Sequence, residues 1–269
     1  VECELTVVLP AYNEAGNIGE VVAETERVLG EQQIDYEIRV VDDGSTDGTA
    51  LVLDALQRNN ARVSICTHPL NRGYGAAVKR GLREARGTHV LVSDGDGQFS
   101  MTGFDSLWKA RREADLVLGF RRARRDPAHR RAAGWIYSRL LAPLLFGVRV
   151  RDVNCGYKLF SRAAIDGLEP RADGALLYAE LLARAIKRGA SLTEIGVEHL
   201  PRGSGASTGL KPSVVFRALR ELSRVRAAIN RERLAPGGGF AAAVGDGEAL
   251  LGDRAGLRPG RDALQSPPS

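Results

Sequence analysis

Two aspartates, one glycine apart, follow the apolar run Val90-Leu91-Val92 in the stretch Ser93-Asp94-Gly95-Asp96-Gly97-Gln98. Alternating oxygen donors directly after a buried strand make a compact site for a hard divalent cation, with Asp94, Asp96 and Gln98 as candidate ligands. Mg2+ or Mn2+ held this way can bridge a diphosphate and leave room for its oxygens. An EF-hand would continue through a longer acidic loop to a glutamate, and this segment does not. The plainer alternative is a solvated acidic turn. A nearly uncharged strand running into two aspartates argues against it.

Three further loops carry polar groups of the kind that bind nucleotides. Leu9-Pro10-Ala11-Tyr12-Asn13-Glu14 has neither the G-x-G-x-x-G of a dinucleotide fold nor a P-loop. Its ring, amide and carboxylate can stack on and hydrogen-bond a base or ribose; a Pro-rich turn with a helix cap is the other reading. Val41-Asp42-Asp43 runs into Gly44-Ser45-Thr46-Asp47-Gly48. Turn and capping chemistry explains Ser45 to Gly48 well and the paired aspartates less well. Asn71-Arg72-Gly73-Tyr74-Gly75 resembles a phosphate-binding turn, but Val78 stands where a third glycine is expected. It reads as a close-approach turn near a nucleotide or as simple turn chemistry.

These loops need a frame that gathers them. Apolar runs at Leu5–Leu9, Glu37–Val41, Val63–Cys66, Val90–Val92 and Asp115–Phe120 read as strands, and Ile18–Leu29, Thr49–Arg58 and Ala76–Ala85 as helices between them. That alternation predicts an α/β fold with a parallel sheet and right-handed crossovers, whose ligands bind outside the carboxyl ends of the strands. The second half is less regular. An arginine-rich segment spans Arg121 to Arg131, and an amphipathic helix is expected over Trp135–Phe146, interrupted at Pro143. A loop at Asp152–Gly156, a helix at Leu176–Arg188, a strand at Leu192–Val197 and a helix at Val214–Asn230 follow. From Ala235 the composition turns to Gly, Ala and Pro, so 1–234 reads as a single catalytic domain and 235–269 as a disordered tail. There is no internal repeat.

The composition is that of a soluble globular protein, with 43% hydrophobic and 26% charged residues in 269. Cys3, Cys66 and Cys155 are too dispersed for a disulfide framework or a zinc site, which points to a reducing cytoplasm. No run approaches the roughly 18 apolar residues of a membrane span; the longest is Leu140 to Val148. No signal peptide pattern is expected, and the sole methionine is Met101. The net charge of +5 fits an anionic lipid or phosphorylated substrate as readily as nucleic acid, although arginine dominance equally suits a codon-biased genome.

The stretches LPAYNEAGNI, VVDDGSTDGT, NRGYGAAVKRGL, SDGDGQF, LGFRR and DVNCGYKLF occur in this order over roughly residues 5–210. As an ordered set they resemble the family 2 glycosyltransferases of the GT-A fold, and most closely the dolichyl-phosphate mannose synthase and polyprenyl-phosphate glycosyltransferase group. The resemblance implies a Rossmann-like, mostly parallel sheet flanked by helices. It implies that Pro10, Tyr12 and Glu14 hold the nucleoside, that Val41 and Asp43 lie at the base or ribose, and that Asp94 meets both donor and metal. Asp96 and Gln98 would complete the Mg2+ or Mn2+ ligands. Arg121 would meet the donor diphosphate or the acceptor, and Arg202 matches an arginine that follows a late strand. The family pattern there ends in Ser-Lys, whereas this chain has Ser207-Thr208, with Lys211 nearby. Many polyprenyl-phosphate enzymes carry C-terminal membrane spans, which the pattern here lacks, so the acceptor stays open.

The expected reaction is inverting displacement of a nucleoside diphosphate, UDP or GDP, from a hexose. No nucleic-acid partner is expected. A polyprenyl phosphate acceptor is already anionic and needs no base; a soluble hydroxyl acceptor, such as a small metabolite or nucleoside, would need one, with Asp152 and Glu180 as candidates. Capping or a plain helix position is the alternative role for both. Asp96, Asp152 and Arg121 are the candidate catalytic residues. A non-catalytic nucleotide-sugar binding protein is the third reading, against which the intact DxDxQ loop argues. Trp135, Ile136, Leu140, Leu141, Leu144 and Leu145 can form an apolar face beside Arg121, Arg122, Arg124, Arg125, Arg130 and Arg131. That face is either part of the core or an interfacial helix, the latter placing the chain peripherally on the cytoplasmic face of a membrane.

Overall fold

The computed structural model describes residues 3–122, 127–201 and 212–232. Seven strands form one sheet: β1 (Leu5–Ala11), β2 (Tyr36–Asp42), β3 (Val63–Thr67), β4 (His89–Val92), β5 (Leu116–Arg121), β6 (Lys158–Ser161) and β7 (Leu192–Val197), in the order β3-β2-β1-β4-β6-β5-β7. β6 runs antiparallel to both its neighbours, and the remaining pairs are parallel. Six strands therefore point their carboxyl ends at one edge, and β6 begins there, with Lys158 opposite Val92 of β4 and Leu118 of β5.

β1 is buried along its whole length because helices cover both sheet faces, and its residues alternate between two cores. Leu5, Val7 and Leu9 pack with α1 (Ile18–Glu31), α2 (Thr49–Asn59) and α4 (Phe104–Ala110). Val8 packs on the other side with α3 (Tyr74–Glu84), α8 (Leu177–Lys187) and α9 (Pro212–Arg231).

Several features go unread in the sequence pattern, the short helices α4 and α7 (Arg162–Ile165) among them. β6 is only four residues long and starts with a charge, so no apolar run announces it. α3 begins at Tyr74, two residues before its expected start, because Gly73 adopts φ +103° and turns the chain directly into the helix. Pro143 does not interrupt the amphipathic helix. Helix continues from α5 (Ala128–Ile136) through a π-type turn at Tyr137–Leu141 into α6 (Ala142–Phe146). The Ala142 N–H reaches back to the Tyr137 carbonyl, and Pro143 sits in the first turn of α6, where a missing N–H costs little. The short α7 (Arg162–Ile165) links β6 to the α8 layer.

Among the described residues no helix is long and apolar enough to cross a membrane. Arg124, Arg125, Arg202, Ser207, Thr208, Lys211 and the 235–269 segment lie outside the described residues.

Candidate active site

The acidic loop leaves β4 at the carboxyl edge, between the ends of β1 and β6. Gly95 lies against the Pro10 carbonyl, where a Cβ would come within 2.8 Å, so the loops after β1 and β4 are fitted together. Asp96 Oδ1 accepts the Gln98 N–H at 3.0 Å. Gln98 stitches the loop to the segment after β7: Leu200 N–H donates to its carbonyl at 2.8 Å, and its Nε2 donates to the Leu200 carbonyl at 3.4 Å. Asp94 Oδ1 accepts the Tyr74 hydroxyl at 2.7 Å, and that hydroxyl is 2.8 Å from the hydroxyl of Tyr178. Behind Asp94 stands Gly156, where any Cβ would overlap the carboxylate.

Burial, and then the charge of Asp96, push the Asp94 carboxyl up to about 6, against the opposing pull of Tyr74, Arg121 and Lys158. Two carboxylates whose repulsion is incompletely offset are well suited to a divalent cation, which would relieve it. Mg2+ commonly takes one or two carboxylates and completes its shell with water and phosphate oxygens. The donor set of Asp94, Asp96 and Gln98 fits that pattern; among the described residues no group of three or more His, Cys, Asp and Glu offers a denser one.

At the end of β5, Arg121 and Asp152 form a bidentate pair, Nε to Oδ2 at 2.7 Å and Nη2 to Oδ1 at 3.0 Å, with Asp152 buried. Asp152 thereby fixes the guanidinium plane. Glu180 is fully buried within α8 and accepts the backbone N–H groups of Arg171 (2.9 and 2.8 Å) and Ala172 (2.8 Å). It closes the turn before α8.

The residues expected at the donor divide in two. Tyr12 is 39% exposed beside the acidic loop, as is Tyr74 at 40%. Glu14 is buried, its Oε2 accepting Asn17 Nδ2 at 2.6 Å and its N–H bonded to Thr49 Oγ1 at 2.9 Å. Pro10 and Val41 are buried in their strands. Asp43 is turned inward. Its Oδ1 meets His68 Nδ1 at 2.7 Å and the Arg72 N–H at 3.0 Å, and its Oδ2 accepts the Gly73 N–H at 2.7 Å. It ties the end of β2 to the Asn71–Gly75 turn.

Lys158, Tyr178 and His68 escape the sequence reading, although the lysine inside the apolar stretch YKLF was a visible signal. A cavity of about 440 Å3 lies elsewhere, between α3 and residues 162–173, and none of Asp94, Asp96 or Arg121 lines it.

Residues 6–168 match the family model described as Glycosyl transferase family 2, more than half of the chain. A dolichyl-phosphate beta-glucosyltransferase of Trichomonas vaginalis is 33% identical over 73% of this chain and 64% of its own length. The undecaprenyl-phosphate 4-deoxy-4-formamido-L-arabinose transferase of Pseudomonas fluorescens is 31% identical over 76% of this chain and 59% of its own. The chain thus spans less than two thirds of the length of these relatives. Among solved structures, glucosyl-3-phosphoglycerate synthase from Mycobacterium tuberculosis, in complex with Mn2+ and UDP-glucose, superposes with a TM-score of 0.62. It is 21% identical, the match covers 87% of this chain and 80% of that one, and the likeness establishes the shared fold. The chain belongs to glycosyl transferase family 2.

Proposed function

We propose that this member of glycosyl transferase family 2 moves a hexose, with inversion, from a UDP- or GDP-linked donor to a polyprenyl phosphate at a membrane surface. The observation that carries the choice of acceptor is the engagement of both candidate bases. Asp152 has both oxygens on Arg121, and Glu180 has both on backbone N–H groups of the turn before α8. A hydroxyl acceptor needs a carboxylate to take its proton, whereas a phosphate acceptor is already ionised. The names of the polyprenyl-phosphate relatives point the same way.

In this reading an acceptor phosphate oxygen attacks the anomeric carbon, and the bond to the nucleoside diphosphate breaks with its electron pair leaving on the diphosphate. Asp94, Asp96 and Gln98 would hold Mg2+ or Mn2+, which when bound neutralises charge on the leaving diphosphate. Tyr12 offers its exposed ring to the base. Asp43 acts at the donor by holding the Arg72–Gly73 turn in shape. Arg121, with its plane fixed by Asp152, presents a fork suited to phosphate oxygens. Pro10, Glu14 and Val41 shape the nucleoside wall from beneath, and Arg202 would meet the donor from beyond β7.

The membrane part rests on α5 to α6. Trp135, Ile136, Leu140, Leu141 and Leu144 are all exposed, Leu144 at 80%, while Phe146 is buried and Leu145 packs on the core. Arg131 and Arg139 are exposed on the same run. An apolar face rimmed by arginines suits an anionic bilayer surface, along which the polyprenyl tail would lie. The reading carries with it a cytoplasmic, peripheral location.

The test is acceptor competition. Purified protein supplied with UDP- and GDP-hexoses should release nucleoside diphosphate when undecaprenyl phosphate is added, and not with neutral alcohols. Faster turnover on a neutral soluble alcohol would overturn the proposal and return Asp152 to the role of base. Donor binding with no turnover on any acceptor would favour a binding protein.

A further inference from the structure

Lys158 takes no part in the chemistry above, yet it is fully buried at the carboxyl edge where that chemistry is proposed. Its Nζ donates to the Cys155 carbonyl and lies 4.3 Å over the ring of Tyr178. The Tyr178 hydroxyl is 2.8 Å from that of Tyr74, which donates to Asp94. Gly156, in the same turn as the Cys155 acceptor, presses on the Asp94 carboxylate. One short turn therefore holds the ammonium and backs the acidic loop. Burial pushes the Lys158 ammonium pKa down, while Cys155, Asp152 and Asp94 act to keep its charge. An apolar side chain of similar volume would fill the same space without the cost of burying a charge.

We propose that Lys158 is a positioning residue, the internal counter-charge of the acidic loop, which lowers the strength with which Asp94 and Asp96 take a divalent cation. The inference rests on the reading that these two aspartates bind the ion. The ammonium offsets their repulsion when the ion is away, and its field opposes the ion when it returns. The loop is thereby kept from holding metal so tightly that the ion would stay behind after the nucleoside diphosphate departs.

Mn2+ titration without donor, followed by electron paramagnetic resonance, tests this on wild-type protein, Lys158→Met and Lys158→Gln. The glutamine variant removes the charge while keeping a donor for the Cys155 carbonyl. Both variants should bind Mn2+ at least about tenfold more tightly than wild type. Unchanged or weaker binding in a folded variant overturns the inference. If neither variant folds, the wild-type protein decides the matter. The chain has only five lysines, so Lys158 is assignable in a 13Cε-lysine spectrum by elimination with variants of the other four. Its resonance should shift on addition of diamagnetic Mg2+ while those of Lys109 and Lys187 stay still. A stationary Lys158 in protein that binds Mg2+ overturns the inference. Wild-type protein that takes up no metal overturns the metal reading itself, and this inference with it.

Discussion

Asp94 and Gly156 are in contact with no room between them, so a single methyl group is the sharpest probe of the acidic loop. Gly156→Ala must displace either the turn or the carboxylate, and kcat/KM for the donor should fall by about 100-fold, the equivalent of about 3 kcal/mol. Circular dichroism should show the fold retained. The Asp94 carboxyl supplies a second probe. Its pKa is raised from 3.8 to about 6, so the metal-free fold holds that proton more tightly than the unfolded chain does. Stability from this group is complete below about pH 4 and is lost as pH rises through about 6, by up to about 3 kcal/mol. Asp94→Asn removes the loss. Without metal, its melting temperature should exceed that of wild type near pH 7.5 and approach it near pH 4.5, while turnover is abolished. No pH dependence in that difference would remove the assignment. Glu180→Ala strands the buried Ala172 N–H and frees the part-buried Arg171 N–H, and should cost about 1–3 kcal/mol of stability by denaturant titration. Lost turnover at unchanged stability would instead restore Glu180 as a base. The oxygen spacing of Asp94, Asp96 and Gln98 is legible in the sequence because oxygen-bearing side chains alternate there with glycines. The hydrogen-bond partners of Asp43 and Glu180 are not, because a carboxylate looks the same in sequence whether it turns to solvent or to backbone N–H groups.

The elements divide along the same line. The buried strands of the first half were legible because both faces are covered and their apolar runs are continuous. β6 was not, because four residues that begin with a charge leave no periodic trace. The sequence pattern starts the helix at Trp135 rather than Ala128 because Ala128–Gly134 holds no large apolar residue, and it reads Pro143 as an interruption because a π-type turn is invisible to a 3.6-residue period. That turn spans the residues between Ile136 and Ala142, and the exposed apolar residues lie on both sides of it and within it. Leu140→Asp with Leu144→Asp should therefore abolish flotation with anionic vesicles at low salt. Because both side chains are exposed, melting temperature should change little. Vesicle binding that survives both substitutions would move the docking face elsewhere, with the exposed Phe216 and Leu219 of α9 the next to test.

At the scale of the molecule, the sheet explains why loops spread over about 150 residues meet at all. The strand order β3-β2-β1-β4 lays the loops holding Asp43, Tyr12 and Asp94 side by side at one edge. The insertion of β6 before β5 brings the Asp152–Gly156 turn behind Asp94 and sets Arg121 near it. Among the described residues, the last buried contributors to the two cores are Val225 and Ile229 of α9. Beyond Ala235 the composition offers few large apolar groups, mainly Phe240, Val244, Leu250, Leu251 and the later leucines, among many Gly, Ala and Pro. Segments of that kind bury too little to offset the entropy of ordering. We therefore expect a chain ending at residue 234 to keep the melting temperature of the full chain within about 2 °C, since every described core residue is retained. Its kcat/KM for donor and for polyprenyl phosphate should be unchanged. A drop of several degrees would mean that the segment packs against the domain. Unchanged stability with a raised acceptor KM would mean that it contributes to binding the lipid or its membrane.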